Sequence, residues 1–137
     1  MIKNILQPTA NQVRAFRDRQ TGESVQMLNL LKFKEKAEYE DGRESNLSGR
    51  DAYLLYAEGF RRVMEPKGAS IIYSGEIRGV LIGEADDAWD AMALIQYPST
   101  QVMLDMMRNP DYQTEQQHRV AGLAGQLLIE CGSGFAF

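Results

Sequence analysis

The sequence predicts an α+β fold of ferredoxin-like type, in which a four-stranded antiparallel sheet carries its helices on one face. Strand-like and helical segments follow one another in the order β-α-β-β-α-β, with the second helix in two parts, which is the split βαβ plan. A length of 137 residues, with 44% hydrophobic and 25% charged residues, is typical of one globular domain. We expect one domain over residues 1–137, with a helical appendage over residues 1–22, a core over residues 24–131 and a tail over residues 132–137.

The first third of the chain predicts one helix, one strand and one long loop. Thr9 and Gln12 form a capping-box pattern, so we expect a helix over residues 10–19. Residues 24–33 have the length and the apolar composition of a strand, and both faces of that strand are apolar. Residues 34–47 are charged and predict a polar loop. A loop of this length is typical of a lid, a partner contact or a flexible segment.

The middle of the chain predicts the first covering helix and the second and third strands. Ser48 and Asp51 mark the start of a helix in which apolar side chains recur every three to four residues, and Pro66 ends it. Residues 69–78 and 88–97 have the alternation and the length of strands. Together with the strand over residues 24–33, these elements account for the first four of the six elements of the split βαβ plan.

The last third predicts a helix in two parts and a final strand. Ser99 is a good cap for the first part. Asn109 ends that part and caps the next, and Pro110 suits the first position of a helix. Residues 126–131 are predicted to form the last strand.

Charge and composition narrow the function classes. The net charge of −4 argues against a nucleic-acid partner, because such binders usually present a basic surface. The single cysteine, Cys131, excludes an intramolecular disulfide and a cysteine-rich zinc site, and it fits a reducing compartment. No apolar run has the length of a signal peptide or a membrane span. We therefore expect a cytoplasmic protein that binds neither nucleic acid nor membrane.

Both faces of the predicted sheet are apolar, although the helices cover only one of them. A patch of half a dozen large side chains exceeds what soluble monomers usually expose, so we predict a homodimer packed sheet to sheet. The alternative is a one-residue register error, which would make one apolar face look like two. The predicted exposed set is Leu28, Leu30, Ile72, Met92, Leu94 and Leu128, and the predicted inner set is Met27, Leu31, Ile71, Ile95 and Leu127.

Five short segments of the chain carry a resemblance to a known family: residues 75–83, Trp89-Asp90, Tyr97-Pro98-Ser99, residues 109–113 and His118-Arg119. Through them the chain resembles an uncharacterised branch of the dimeric α/β-barrel superfamily, known mainly as a domain of unknown function. The resemblance covers roughly residues 24–131 and implies a ferredoxin-like subunit whose sheet packs on that of a second copy. Relatives across the superfamily include cofactor-independent monooxygenases, muconolactone isomerase-like enzymes, haem-binding members and plain binding proteins, so the resemblance supports the fold more than any function.

His118 is the only histidine and therefore the only side chain whose ordinary pKa lies near neutrality. It is the candidate proton carrier, with Glu115 three residues earlier to orient it. The structural alternative is an exposed or dimer-contact histidine. No second histidine or cysteine stands at ligand spacing, so no metal site is predicted.

Four further residues are candidate ligand-binding residues. Asn29 interrupts an apolar strand face, where its amide either contacts a ligand or is satisfied by the protein itself. Tyr73, Trp89 and Tyr97 combine an apolar ring with a polar tip, which suits a pocket wall as well as a packed core.

We therefore expect a small-molecule-binding homodimer with its pocket between the sheet and the helices. Its enzymatic form would be a cofactor-independent enzyme of monooxygenase or isomerase type, acting on an apolar or aromatic ligand without any cofactor. The alternatives are a non-catalytic binding or interaction protein and a haem-binding protein that uses His118.

Overall fold

A computed structural model describes residues 6–85, 88–132 and 134 of the chain. Its four strands form one antiparallel sheet in the order β2-β3-β1-β4, with a helix between β1 and β2 and two between β3 and β4. This arrangement is the predicted ferredoxin-like fold, which is confirmed. The elements are α1 (Ala10–Asp18), β1 (Val25–Phe33), α2 (Gly49–Met64) with a 3-10 turn (Glu65–Lys67), β2 (Ser70–Glu76), β3 (Ala91–Tyr97), α3 (Thr100–Arg108), α4 (Pro110–Gly122) and β4 (Leu123–Cys131).

The helices begin where the capping residues in the sequence predict. Side chains of Thr9, Ser48, Ser99 and Asn109 each accept a hydrogen bond from a backbone N–H of the first helical turn. These bonds satisfy donors that have no partner inside a helix. Among the described residues, no helix has both the length and the apolar character needed to cross a membrane.

One face of the sheet packs against the helices and forms the core. Met27, Leu31 and Ile95 lie on this face, and they belong to the same buried cluster as Phe60 of α2 and Met106 of α3. Around this cluster, the space between the sheet and the helices is thus occupied by aliphatic, aromatic and methionine side chains. The other buried members of the cluster are Phe16, Val25, Tyr53, Tyr56, Met64, Ala69, Tyr97, Met103, Tyr112 and Leu123.

The opposite face of the sheet, here called the open face, is covered by no helix among the described residues. Leu28 and Leu30 of β1 lie on it, because their neighbours Met27 and Leu31 point into the core. Directly paired residues of neighbouring strands share a face, so β3 and β4 each contribute two more apolar side chains. The six residues of this open-face cluster are Leu28, Leu30, Met92, Leu94, Leu127 and Ile129.

The predicted facing of β4 is wrong by one residue. The sequence places Leu128 on the open face and Leu127 in the core, but Leu127 pairs with Leu30, and Leu128 pairs with Asn29 on the helix side. Three consecutive apolar residues leave the alternation of β4 undefined. Its phase is set by hydrogen-bonded pairing with β1, which the sequence pattern does not encode.

The predicted facing of Tyr73 is also wrong. The sequence places Ile71 and Tyr73 on one face and Ile72 on the other. The register shifts between Ile71 and Tyr73, so that they pair with the consecutive residues Ile95 and Leu94, which point to opposite faces. This β-bulge moves Tyr73 to the open face, where its side chain is 61% exposed.

Candidate functional site

A tyrosine and the only histidine form a hydrogen-bonded pair on one side of α4. Tyr39 Oη lies 2.6 Å from His118 Nδ1, and their rings meet edge to face with centroids 5.5 Å apart. Both side chains are half-buried. Glu115, which the sequence offers as the residue that orients His118, instead forms an ion pair with Arg62 at 2.6 Å. The partner of His118 is thus Tyr39, from the loop that precedes α2.

Tyr39 reaches α4 because the start of its loop is fastened to the end of that helix. The backbone N–H of Lys34 donates to Gly122 O at 2.8 Å, and that of Glu38 donates to Ala121 O at 3.0 Å. The side chain of Ala37, between them, is buried beside Ala121. The predicted polar loop is therefore packed against α4 along its first five residues, which holds Tyr39 beside His118.

Arg43 stacks on Tyr39 and makes a second connection between the loop and α4, through Gln117. The guanidinium carbon of Arg43 lies 4.5 Å from the centre of the Tyr39 ring, a cation–π contact. Arg43 Nε donates to both carboxylate oxygens of Asp41, at 3.1 and 2.9 Å, and its Nη2 donates to Gln117 Oε1 at 2.6 Å. Arg43 therefore places positive charge beside both members of the pair.

The surroundings of the pair favour its neutral form. Burial lowers the pKa of His118; the carboxylate of Glu115 opposes this effect, and the charge of Arg43 adds to it. Burial raises the pKa of Tyr39. The positive charge of Arg43 opposes this increase, and the negative charge of Asp41 adds to it. A neutral phenol can donate to a neutral imidazole, and in that tautomer His118 Nδ1 accepts from Tyr39 Oη while the imidazole proton is on Nε2.

A cleft of about 400 Å³ opens beside this pair. Tyr39 is part of its wall and hydrogen-bonds with His118, which is not among the lining residues. The Tyr39 phenol therefore joins the cleft to the imidazole. The lining residues are Gln7, Tyr39, Glu40, Asp41, Gln113, Gln116, Gln117 and Val120.

The four predicted ligand-binding residues lie apart from this cleft. Asn29 is buried in β1; its Nδ2 donates to Met27 O and Ala93 O, both at 3.3 Å, and its Oδ1 accepts from Gln126 Nε2 at 2.8 Å. Its amide is thus fully engaged by the protein. The roles predicted for these four residues stay predictions.

The three aromatic candidates do not share one place. Tyr97 is buried on the helix side, where its hydroxyl contacts Met106 Sδ at 3.8 Å and its ring packs edge to face on Phe60. Tyr73 lies on the open face. Trp89 is half-buried in the segment before β3.

The sequence pattern did not identify the other residues of the site. Tyr39 and Arg43 stand in a charged loop, and 79 positions separate Tyr39 from His118. Arg119 is buried although the helical periodicity assigns it to no apolar stripe. Within the described part of the chain, no group of three or more histidine, cysteine and acidic residues is placed to hold a metal ion.

No protein-family model and no curated protein sequence matches the chain. Among solved structures it is similar to the methylated RPA0582 protein, with 30% sequence identity and a TM-score of 0.88 over 98% of both chains. A second structure of RPA0582, described as a protein of unknown function from Rhodopseudomonas palustris, gives 29% identity and a TM-score of 0.83 over 94% of this chain and 96% of that one. The hydroxynitrile lyase from Passiflora edulis shares the fold alone, at 12% identity and a TM-score of 0.55 over 85% and 99% of the two chains.

Proposed function

Because this chain belongs to the same family as the RPA0582 protein, whose function is described as unknown, we propose its function from its own residues. It is a homodimeric small-molecule-binding protein, and its cleft carries cofactor-independent proton transfer through Tyr39 and His118. The observation that carries this proposal is the 2.6 Å contact between Tyr39 Oη and His118 Nδ1 at the wall of the cleft.

The pair can accept a proton from a ligand in the cleft. The ligand gives its proton to Tyr39 Oη while the phenolic proton of Tyr39 passes to His118 Nδ1, which leaves a ligand anion, a neutral phenol and an imidazolium. Glu115 supports the imidazolium, because its carboxylate favours the charged form of His118. Such positioned acid–base groups contribute roughly 100- to 10,000-fold to a proton-transfer step.

The lining of the cleft indicates a ligand with hydrogen-bonding groups. Gln113, Gln116 and Gln117 contribute amides and Glu40 contributes a carboxylate, whereas Val120 is the only aliphatic side chain among the lining residues. The sequence predicts an apolar or aromatic ligand in the interior of the subunit. We propose instead a small polar carbonyl compound for this cleft, because most of its lining side chains offer hydrogen-bonding groups and little apolar surface.

The proposed homodimer is supported by the open-face cluster. Its six aliphatic side chains form a continuous array across β3, β1 and β4, with Leu94, Leu28 and Ile129 in one row. Ile129 is still 39% exposed in the single chain. Packing this face on a second copy about a two-fold axis removes the array from water at about 25 cal/mol per Å² of apolar surface.

Deuterium exchange tests the catalytic part of this proposal. We expect the protein to accelerate exchange of the α-protons of small ketones and 1,3-diketones in D₂O, followed by proton NMR. His118→Asn and Tyr39→Phe should each lower the rate by about 100-fold, because each breaks the proton path. A hydroxynitrile belongs in the panel because one protein of the same fold is a hydroxynitrile lyase.

The matched control is Tyr56→Phe, which also removes one phenolic hydrogen bond, the 2.9 Å contact with Tyr112, but lies in the core. Full activity in Tyr39→Phe and His118→Asn would refute the proton path. An inactive wild-type protein would favour the non-catalytic binding alternative.

A further inference from the structure

A buried arginine lies on the other side of α4, between this helix and the sheet. Arg119 is only 7% exposed, and its Nη1 donates to Gln126 Oε1 at 2.6 Å. Gln126 Nε2 in turn donates to Asn29 Oδ1 at 2.8 Å. An arginine can only donate hydrogen bonds, so Arg119 determines the orientation of the Gln126 and Asn29 amides. This series of hydrogen bonds ends at two backbone carbonyls of the sheet, to which Asn29 donates.

One edge of the Arg119 guanidinium has no partner among the described residues. Its Nε is buried without a hydrogen bond, and its Nη2 makes none with any described residue. In Arg19 and Arg43, the same Nε–Nη2 edge holds a carboxylate, that of Glu130 and that of Asp41 respectively. The edge of Arg119 thus has the geometry that this chain uses elsewhere for carboxylates.

Arg119 also lacks a counter-charge within the described part of the chain. No ion pair joins it to a described carboxylate, and its one hydrogen-bond partner, Gln126, is neutral. A buried charge without a partner is costly, and a bound anion of single charge would offset that cost.

We propose that the Nε–Nη2 edge of Arg119 binds the carboxylate of a small organic acid between α4 and β4. This site is independent of the proton-transfer function, because Arg119 and His118 project from different sides of α4 and contact different elements. Gln126 positions the guanidinium, and Asn29 holds Gln126.

Two neighbouring side chains define the rest of the site. Burial raises the pKa of Tyr53 far above its ordinary value, and the positive charge of Arg119 acts against this shift. Its hydroxyl makes no hydrogen bond with a described residue and is available to a carboxylate oxygen. Leu128 follows Gln126 by two positions on the same face of β4 and is 42% exposed. An acid with a short apolar body would cover this leucine.

The ligand class follows from charge and shape. One guanidinium edge flanked by neutral groups matches one planar, singly charged carboxylate, whereas inorganic phosphate carries more charge and is not planar. Benzoate and hexanoate are suitable probes, and benzamide is the neutral counterpart of benzoate.

NMR titration of the wild-type protein tests the site without relying on a variant that folds. With millimolar benzoate or hexanoate, we expect saturable shifts of the side-chain amide signals of Asn29 and Gln126, and none with benzamide. Shifts confined to Gln116 and Gln117 would place the acid in the Tyr39 cleft and overturn this proposal while leaving the proposed function standing. No shift with either acid, or shifts with inorganic phosphate alone, would overturn it as well.

Arg119→Lys supplies the second measurement. A lysine keeps the positive charge but loses the two parallel donors, so we expect affinity for the acids to fall by roughly tenfold or more. The matched control is Arg62→Lys, which alters an exposed arginine paired with Glu115 and should leave affinity unchanged. Equal affinity in Arg119→Lys and the wild type would contradict the proposal.

Discussion

At the scale of single residues, the chemistry of His118 depends on contacts that are remote in sequence. Its ring is half-buried, its Nδ1 is held by Tyr39, and Arg43 places positive charge nearby. Burial and the charge of Arg43 favour the neutral imidazole over the imidazolium, and the carboxylate of Glu115 opposes them. A histidine held neutral at physiological pH is suited to accept a proton.

The lowered pKa of His118 predicts a pH dependence of stability. Because the folded state binds the proton less tightly than the unfolded state does, stability falls as the pH drops through the ordinary histidine pKa of about 6.5. We expect the free energy of unfolding to decrease more in the wild type than in His118→Asn between about pH 7.5 and pH 5.5. Urea denaturation at each pH measures both. Parallel curves for the two proteins would contradict the lowered pKa.

At the scale of elements, the pair of glycines Gly49 and Gly122 lets α2, α4 and the Tyr39 loop approach closely. A methyl group added at Gly49 would collide with the backbone oxygen of Lys34 and lie 2.6 Å from Gly122 O. One added at Gly122 would collide with Gly49 O and lie 3.0 Å from the backbone nitrogen of Tyr53. These contacts involve backbone atoms, so side-chain rotation cannot relieve them.

Gly122→Ala should therefore destabilise the protein by about 1–3 kcal/mol, the usual cost of overpacking. Since Lys34 N–H donates to Gly122 O, we also expect the NMR signals of His118 to shift as the loop moves. Gly79→Ala is the matched control, because a methyl group there would meet nothing within 4 Å. Equal stability of the two variants would show that the helices separate without cost.

At the scale of the whole molecule, the arrangement of layers determines the predicted assembly. All the helices that contribute to the core cluster pack on one face of the sheet, and the aliphatic open-face cluster lies on the other. A two-layer domain with an uncovered apolar face usually covers it with another protein surface.

Leu94→Lys tests the assembly, because Leu94 pairs with Leu28 in the middle of the open face. Light scattering should give twice the 15.5 kDa mass of one chain for the wild type and a single-chain mass for the variant. Leu54→Lys is the matched control, since Leu54 is a leucine of α2 that is 50% exposed on the helical side. A wild-type protein that remains a single chain at micromolar concentration would refute the homodimer.

The secondary-structure elements and their order can be read from the amino-acid sequence alone. Capping residues such as Thr9 and Ser48 act on backbone groups only a few positions away. The spacing of apolar residues is equally local, so both signals are visible in the sequence. The same pattern indicated two apolar sheet faces and singled out His118 as the proton carrier, a role that stays a prediction.

The facing of Tyr73 and Leu127 and the partners of the candidate site residues depend on contacts that form in the folded chain. A bulge in β2 and the register of β4 depend on pairing with another strand. Tyr39 meets His118, and Arg119 meets Gln126, because backbone bonds and packing join segments that are distant or lie on different elements. Sequence patterns reflect interactions between residues that are close in the sequence. These contacts join residues that become close only when the chain folds.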